Sequence, residues 1–470
     1  MKGQLGRNLS VNALQLMLNQ FFGLVIFYVL SANLTKSAFG QINLALAILL
    51  AVFNILSFGI DQLIVKRIAA GAAVGHTLSL YIGHVLITGI SFYGLLLLAG
   101  YLVPAAEIYD LIVLIGIGKL FIFFSAPFKQ VANGMERFKL LAYMSVVSNF
   151  IRCVCLLTFV LLHMLSLKGI VFIFIGGDLG ELLVCIFLFR QAVKIPLVMK
   201  WNRSGYLKLL RESLPQTGVV VITSALARFD WIFIGFILSA AKLAEYSFAY
   251  KVFEIATFPM LAIAPLLIPL FTKLFKEQHT DVQGLKFLIR MELVVAAFIA
   301  LVLNICWAPV VDMISSGKYG MVNARTIFIL SLAMPLLYVN NFLWTINFAQ
   351  GRLKMILSSF IVTLLVNVTG DVILIPFFQN EGAAFAFLLS CLAQTVFYMR
   401  RNTVPELQSV WRPLINCTAC AVLSGLAGGI LMPNVWLALP SAVILYAILL
   451  IITAQLQPAD MKKFRQNLNW

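Results

Sequence analysis

The sequence predicts an all-α protein that crosses a membrane about fourteen times. Of its 470 residues, 62% are hydrophobic and only 11% are charged, and the mean hydropathy is +0.99. Soluble domains are about half apolar and a quarter charged. A chain so poor in charge cannot hide its apolar surface from water, so lipid must surround most of it. The second observation is the regular placement of basic residues in alternate loops, described below.

A spanning helix needs about 20 mostly apolar residues, and about fourteen runs meet this condition. In chain order they are residues 9–31, 42–65, 78–103, 111–131, 140–164, 169–189, 214–238, 247–271, 287–310, 326–348, 355–378, 382–399, 414–432 and 435–456. The connections between them are short, which predicts that no soluble domain is inserted.

Lys and Arg are divided very unevenly between alternate loops. One side of the predicted membrane holds about 24 of them and the other about five, which are Lys36, Lys168, Lys242, Lys318 and Arg325. Cytoplasmic loops are the basic ones, so this pattern predicts that both termini are cytoplasmic. It also accounts for most of the net charge of +16. Nucleic-acid binding is not predicted, because no polar stretch could form a basic soluble domain.

Three short landmarks recur about 210 residues apart, which indicates a parallel repeat of six helices. The landmarks are residues 134–139 with 351–354, residues 168–172 with 381–385, and residues 39–40 with 246–247. The repeat predicts an N-lobe at 1–190, a basic cytoplasmic linker at 191–212 and a C-lobe at 213–400. Residues 401–470 are then two additional helices and a cytoplasmic tail.

Several charged residues fall inside the predicted spans, where a charge costs a few kcal/mol and must face a polar interior. Ser224, Arg228 and Trp231 share one face of the seventh span. Basic side chains suit an anionic group such as a diphosphate, because Arg binds it as a fork and Lys as a point charge. The candidate substrate-binding residues are Lys119, Arg152, Ser224, Arg228, Trp231 and Lys251.

The intramembrane carboxylates are candidates for coupling transport to H⁺ or Na⁺. They are Asp178, Glu181, Asp230, Glu254 and Asp371. Asp178 and Glu181 are three residues apart on one helix face, so they repel each other unless a basic side chain is near. The alternative interpretation of each charge is a structural ion pair, above all for Lys251 with Glu254. Arg290 and Glu292 are expected to snorkel towards the cytoplasmic surface.

No resident cofactor, metal site or disulfide is predicted. The seven cysteines all lie in apolar runs, where they pack as small apolar residues. Cys417 and Cys420 have the spacing of half a zinc site, but no second ligand pair accompanies them.

Several stretches together resemble the polysaccharide transporter branch, the Wzx-type flippases, of the multidrug/oligosaccharidyl-lipid/polysaccharide (MOP) exporter superfamily. They are Phe39-Gly40, residues 58–60 and 66–69, 134–138, 228–235, Tyr246, 249–251, 375–376 and 382–384. The resemblance implies two six-helix lobes plus two helices, and no catalytic residue. It implies alternating-access transport of an undecaprenyl-diphosphate-linked oligosaccharide, such as an O-antigen unit, from the cytoplasmic to the periplasmic leaflet of a bacterial inner membrane.

The implied partners are membrane lipids, a polysaccharide polymerase and a chain-length regulator, with the transporter itself a monomer. Two alternatives stay open. A cation-coupled multidrug exporter of the same superfamily is expected to have twelve spans and an acidic pocket. A membrane glycosyltransferase or polymerase needs a large external loop, and the longest external candidate here, residues 311–325, has about fifteen residues.

Overall fold

The computed structural model describes residues 2–102, 107–193, 202–276, 282–402, 404–431 and 434–457. Throughout these ranges the regular structure is helical. The helices are α1 (Lys2–Asn33), α2 (Lys36–Leu56), α3 (Ile60–Ala69), α4 (Val74–Leu102), α5 (Glu107–Gly134), α6 (Phe138–Leu161), α7 (Leu167–Val193), α8 (Arg203–Ile237), α9 (Ala240–Ala256), α10 (Phe258–Lys276), α11 (Val282–Ser315), α12 (Ala324–Ala349), α13 (Leu353–Arg400), α14 (Trp411–Leu431) and α15 (Val435–Ile452). Short 3₁₀ turns span Met321–Asn323 and Pro405–Val410.

The predicted all-α membrane fold is confirmed. Within the described ranges, 12 helices are long and apolar enough to cross a membrane. Two differences explain why this number is smaller than the fourteen predicted spans. Helix α13 contains two of the predicted spans, and α9 with α10 replaces the predicted eighth span by two shorter helices.

Helix α13 folds back on itself as a hairpin. Gln379 has a non-helical conformation (φ 51°, ψ −127°). On either side of it, Ser359 donates its hydroxyl to Tyr398 at 2.7 Å, and the backbone of Gly382 lies directly against that of Leu374. The chain therefore reverses where the sequence predicts the turn between the eleventh and twelfth spans.

The predicted second span, residues 42–65, is wrong as a continuous helix. The chain breaks after Leu56, and Gly59 (φ 66°) has the left-handed conformation that favours glycine. The break frees backbone carbonyls that need partners inside a membrane. His84 Nε2 lies 2.9 Å from the Leu56 carbonyl, and the Thr217 hydroxyl donates to the Phe58 carbonyl at 2.8 Å.

A second break falls at Thr257, between α9 and α10. Pro259 follows two residues later, and proline removes a backbone donor and disfavours helix in the residue before it. Pro259 therefore accounts for the interruption of the helix between Ala256 and Phe258. The second and eighth predicted spans, which are six spans apart, are thus both broken.

Contacts divide the chain into two compact units, Met1–Ala244 and Glu245–Trp470. In the first unit, α2, α4, α5 and α7 surround a core that includes Leu49 and Tyr81. In the second, α11, α12, α13 and α14 surround a core that includes Leu293 and Phe342. Helix α8 packs on α2 and α3 within the first unit. The lobe boundaries given by the sequence stay a prediction.

Candidate functional site

Asp178 is the centre of a buried polar cluster in the first unit. Its carboxylate accepts the Ser148 hydroxyl at 2.7 Å and the Arg152 guanidinium, and Lys119 Nζ lies 3.6 Å away. Lys119 comes from α5, Ser148 and Arg152 from α6, and Asp178 from α7. We call these four residues the Asp178 cluster. Two predicted substrate-binding residues thus share one predicted coupling carboxylate.

Small residues let the helices of the Asp178 cluster approach each other. A Cβ atom on Gly118 would lie 2.7 Å from Asp178 Oδ2, and one on Gly177 would lie 2.8 Å from Arg152 Cγ. The Arg152 guanidinium also stacks over the Phe174 ring, 4.5 Å from its centroid. The cluster is therefore closely packed, with Asp178 at 0% exposure.

Glu181, one turn after Asp178, is paired with Lys129 of α5 at 2.7 Å. From the sequence, Lys129 falls near the end of the predicted span 111–131 and counts among the basic residues of the cytoplasmic side, and in the structure it lies in the last two turns of α5, which ends at Gly134. The basic neighbours expected for the stacked carboxylates Asp178 and Glu181 are therefore present. Nothing in the local sequence marks Lys129 as the partner, since the contact joins residues 52 positions apart.

Asp61 of α3 was also missed. Its carboxylate accepts the Tyr81 hydroxyl and lies near enough to Lys129 for electrostatic interaction. Asp61, Asp178 and Glu181 thus face three cations, Lys119, Lys129 and Arg152. If all six are ionised, their charges sum to zero.

Arg228 of α8 has a different environment. It is half-buried, its guanidinium lies 4.6 Å from the centroid of the Trp231 ring, and one amino group reaches the Ala227 carbonyl at 3.2 Å. No carboxylate among the described residues pairs with it. Ser224 and Trp231 are buried on the same helix face, and at Gly235 this face closes against Leu44 of α2.

The other predicted coupling residues lie in separate places. Asp230 is buried and accepts the backbone N–H of Trp231 at 2.8 Å, while Asp371 is buried in the first half of the α13 hairpin. Lys251 pairs with Glu254 along α9 at 2.7 Å, as the structural alternative predicted.

Glu292 contradicts the expectation from sequence. It was expected to snorkel, but it is only 7% exposed, and its Oε2 atom has no hydrogen-bond partner in the described part of the chain. The prediction rested on its position near the cytoplasmic end of the span, as for Arg290, yet residues two apart on a helix point in nearly opposite directions.

Comparison with known proteins identifies the family. The family model described as "Polysaccharide biosynthesis protein" matches residues 5–275, more than half of the chain. No curated protein sequence matches the chain.

Solved structures share the fold. A lipid II flippase MurJ structure in an inward closed conformation superposes with a TM-score of 0.72 at 14% identity, covering 98% of this chain and 99% of that one. A multidrug resistance MATE family transporter of the MOP superfamily gives a TM-score of 0.65 at 12% identity, covering 83% of this chain and 96% of its own. A MOP superfamily transporter from Pyrococcus furiosus gives 0.58 at 13% identity, covering 87% and 96%.

All three of these structures are described as transporters or flippases, so the chain shares a fold found in transport proteins. The chain therefore belongs to the polysaccharide biosynthesis protein family and has the fold of the MOP-superfamily transporters.

Proposed function

We propose that the protein is a flippase that moves a polyprenyl-diphosphate-linked oligosaccharide from the cytoplasmic to the periplasmic leaflet by alternating access. The family match and the full-length likeness to a lipid II flippase support this class of cargo. The superposition with the multidrug transporter leaves about a sixth of this chain unmatched. Residues 401–470 make up a similar share of the chain. The two additional helices thus favour the lipid-linked sugar branch over the twelve-span exporters.

The inference of an anionic cargo rests mainly on the environment of Arg228. A half-buried guanidinium stacked on Trp231 without a carboxylate partner among the described residues is ready to bind an anion. Arg is well suited to phosphate, because its planar donors form two parallel hydrogen bonds. Trp231 can orient the guanidinium by cation–π attraction without neutralising it. In the proposal Arg228 binds the diphosphate.

In this proposal Lys119, Arg152 and Lys251 bind the diphosphate only when it displaces the carboxylates that hold them. In the conformation described, each is held by a carboxylate. A diphosphate carries more negative charge than one carboxylate and can compete for these cations. A carboxylate that loses its cation then requires another positive partner, because an isolated buried charge is very costly. Asp178 or Glu254 would take up H⁺ or Na⁺ at that step, as would Glu181, Asp230 or Asp371 if their partners move.

The proposal places the protein in a bacterial inner membrane with both termini in the cytoplasm, as the basic loops predict. Its lipid partner is an undecaprenyl-diphosphate oligosaccharide, and a polysaccharide polymerase and chain-length regulator would act on the translocated product. The protein would work as a monomer.

The test is the substitution Arg228→Ala in a strain that lacks its own flippase. We expect loss of surface glycan, because the diphosphate loses its cation, while the protein still inserts at normal levels. Arg228→Lys should retain part of the activity, since it keeps the charge but not the fork. Lys168→Ala is the matched control, because Lys168 is exposed at a short turn. Wild-type glycan from Arg228→Ala would remove Arg228 from the binding site.

A cation-coupled multidrug exporter is the second candidate, because MATE transporters share the fold. It predicts that expression of the protein lowers the accumulation of cationic dyes in cells lacking their own exporters. Dye export that persists in Arg228→Ala, together with no rescue of the glycan by wild type, would favour this candidate.

A further inference from the structure

Glu292 of α11 differs from the ion-paired buried carboxylates Asp178 and Glu181. Asp178 and Glu181 are held by lysine and arginine side chains. Glu292 is more than nine-tenths buried, makes no ion pair with a described residue, and has a buried Oε2 atom without a described hydrogen-bond partner. Nothing assigned above to the substrate or to ion coupling uses it.

The face of α11 that bears Glu292 is apolar. Leu285 lies seven residues before Glu292, Ile289 lies three before it, and Ala296 lies four after it. This is the spacing of one helix face. Each of these three is at most 1% exposed. The carboxyl group therefore sits within the hydrophobic core of the second unit.

The elements packed on α11 place few ionisable groups near this carboxyl. From α12, the buried Tyr338 is close enough for electrostatic interaction. The Pro405–Val410 turn contributes the buried apolar residues Leu407 and Val410.

Other polar groups on or beside α11 interact with residues other than Glu292. Arg290 interacts with Cys417 of α14, which with Cys420 lies near Tyr446. Tyr446 of α15 donates its hydroxyl to the Val294 carbonyl at 2.9 Å. These groups do not supply a positive charge to Glu292.

An ionised carboxylate without a partner in such surroundings is so costly that the group takes up a proton instead. Hard metal cations need several oxygen ligands at once, and the apolar face around Glu292 does not provide them, whereas a proton needs a single oxygen. We propose that Glu292 is a proton-binding site. Its carboxyl is protonated in the conformation described here, and it releases that proton to water when another conformation admits water to the site.

This binding reaction is a reversible protonation of one carboxylate and needs no co-reactant. Its use as a coupling step rests on the proposed transport function, whereas proton binding itself does not. The two can therefore be tested separately.

The first experiment is infrared spectroscopy of the purified full-length protein in lipid nanodiscs at neutral pH. We expect a C=O stretching band of a protonated carboxyl group that disappears in Glu292→Gln. The control Glu254→Gln, which removes a carboxylate already paired with Lys251, should leave the band unchanged. Glutamine has nearly the shape of the protonated acid, so the variant should fold. A spectrum in which Glu292→Gln removes no protonated band overturns the proposal.

The second experiment measures proton release with a pH indicator while the nanodisc protein is exposed to a synthetic polyprenyl diphosphate. Any protons that the other carboxylates take up on binding are common to both proteins, so wild type should release more protons than Glu292→Gln under the same conditions. Equal release from both proteins overturns the assignment to Glu292. If the lipid does not bind at all, the proposed flippase function fails, and the infrared result still decides whether Glu292 binds a proton.

Discussion

At the scale of single residues, the Asp178 cluster shows how one carboxylate can stabilise two buried cations. Lys119 and Arg152 come from different helices and meet only at Asp178. Removing one cation leaves the carboxylate with the other and with the Ser148 hydroxyl. Removing the carboxylate leaves two like charges together in a low-dielectric interior, which is far more costly.

This asymmetry predicts the stability of two variants. Asp178→Asn should lower the free energy of unfolding by about 3 kcal/mol, whereas Lys119→Met should change it by about 1 kcal/mol or less. Thermal unfolding in detergent, followed by tryptophan fluorescence, measures both. Equal losses for the two variants would mean that Asp178 does not hold both cations.

The individual charges of the candidate site could be found from sequence, but their partners could not. Lys119, Arg152, Asp178 and Glu181 stand out because charges are rare in apolar spans. Which cation meets which carboxylate depends on how α5, α6 and α7 rotate against each other, and no local pattern records this. Glu292 was misplaced for the same reason, since only packing shows that its helix face is covered.

At the scale of helices, close backbone contacts fix the turns of the α13 hairpin. The backbone of Gly382 packs directly against the backbone of Leu374 and Ile375. A Cβ atom added to Gly382 would lie 2.4 Å from the Leu374 carbonyl oxygen. Such a contact with backbone cannot relax by moving one side chain.

Gly382→Ala should therefore separate the two halves of the hairpin and lower the free energy of unfolding by about 2 kcal/mol. The control is Gly94→Ala in α4, where a Cβ would meet nothing within 4 Å. That variant should be neutral or stabilising by up to about 1 kcal/mol, because alanine favours helix. The folded fraction after heating, measured by size-exclusion chromatography, compares them. A Gly382→Ala protein as stable as Gly94→Ala would contradict the close contact.

The breaks at Leu56 and Thr257 mark the limit of prediction from apolar runs. Bilayer thickness sets the length of a span, so the apolar runs located the membrane helices well. The apolar runs continue through both breaks, because the residues there are themselves apolar. They are Phe58 and Ile60 at the first break and Phe258 and Met260 at the second. Gly59 and Pro259 indicate a bend, but whether the helix bends or stops depends on partners such as His84 and Thr217.

At the scale of the whole molecule, the distribution of basic residues sets the expected orientation. The turn between α1 and α2 and the turn before α7 should face the periplasm, and the starts of α8 and α13 should face the cytoplasm.

Single cysteines in a cysteine-free background test this orientation. In spheroplasts, a membrane-impermeant maleimide should label Ser37→Cys and Lys168→Cys, whereas Ser204→Cys and Lys354→Cys should react only after permeabilisation. All four positions are exposed, so access to the reagent reports the side of the membrane. The reverse pattern would invert the topology and place both termini outside.

The break between α2 and α3 has a consequence for biogenesis. The Phe58 carbonyl is satisfied by Thr217, which lies 159 residues further along the chain. Until the ribosome has made that hydroxyl and α8 has docked, the carbonyl of Phe58 lacks this partner and needs another, such as water. We therefore expect α2 and α3 to stay beside an insertase or a water-filled channel until α8 is complete.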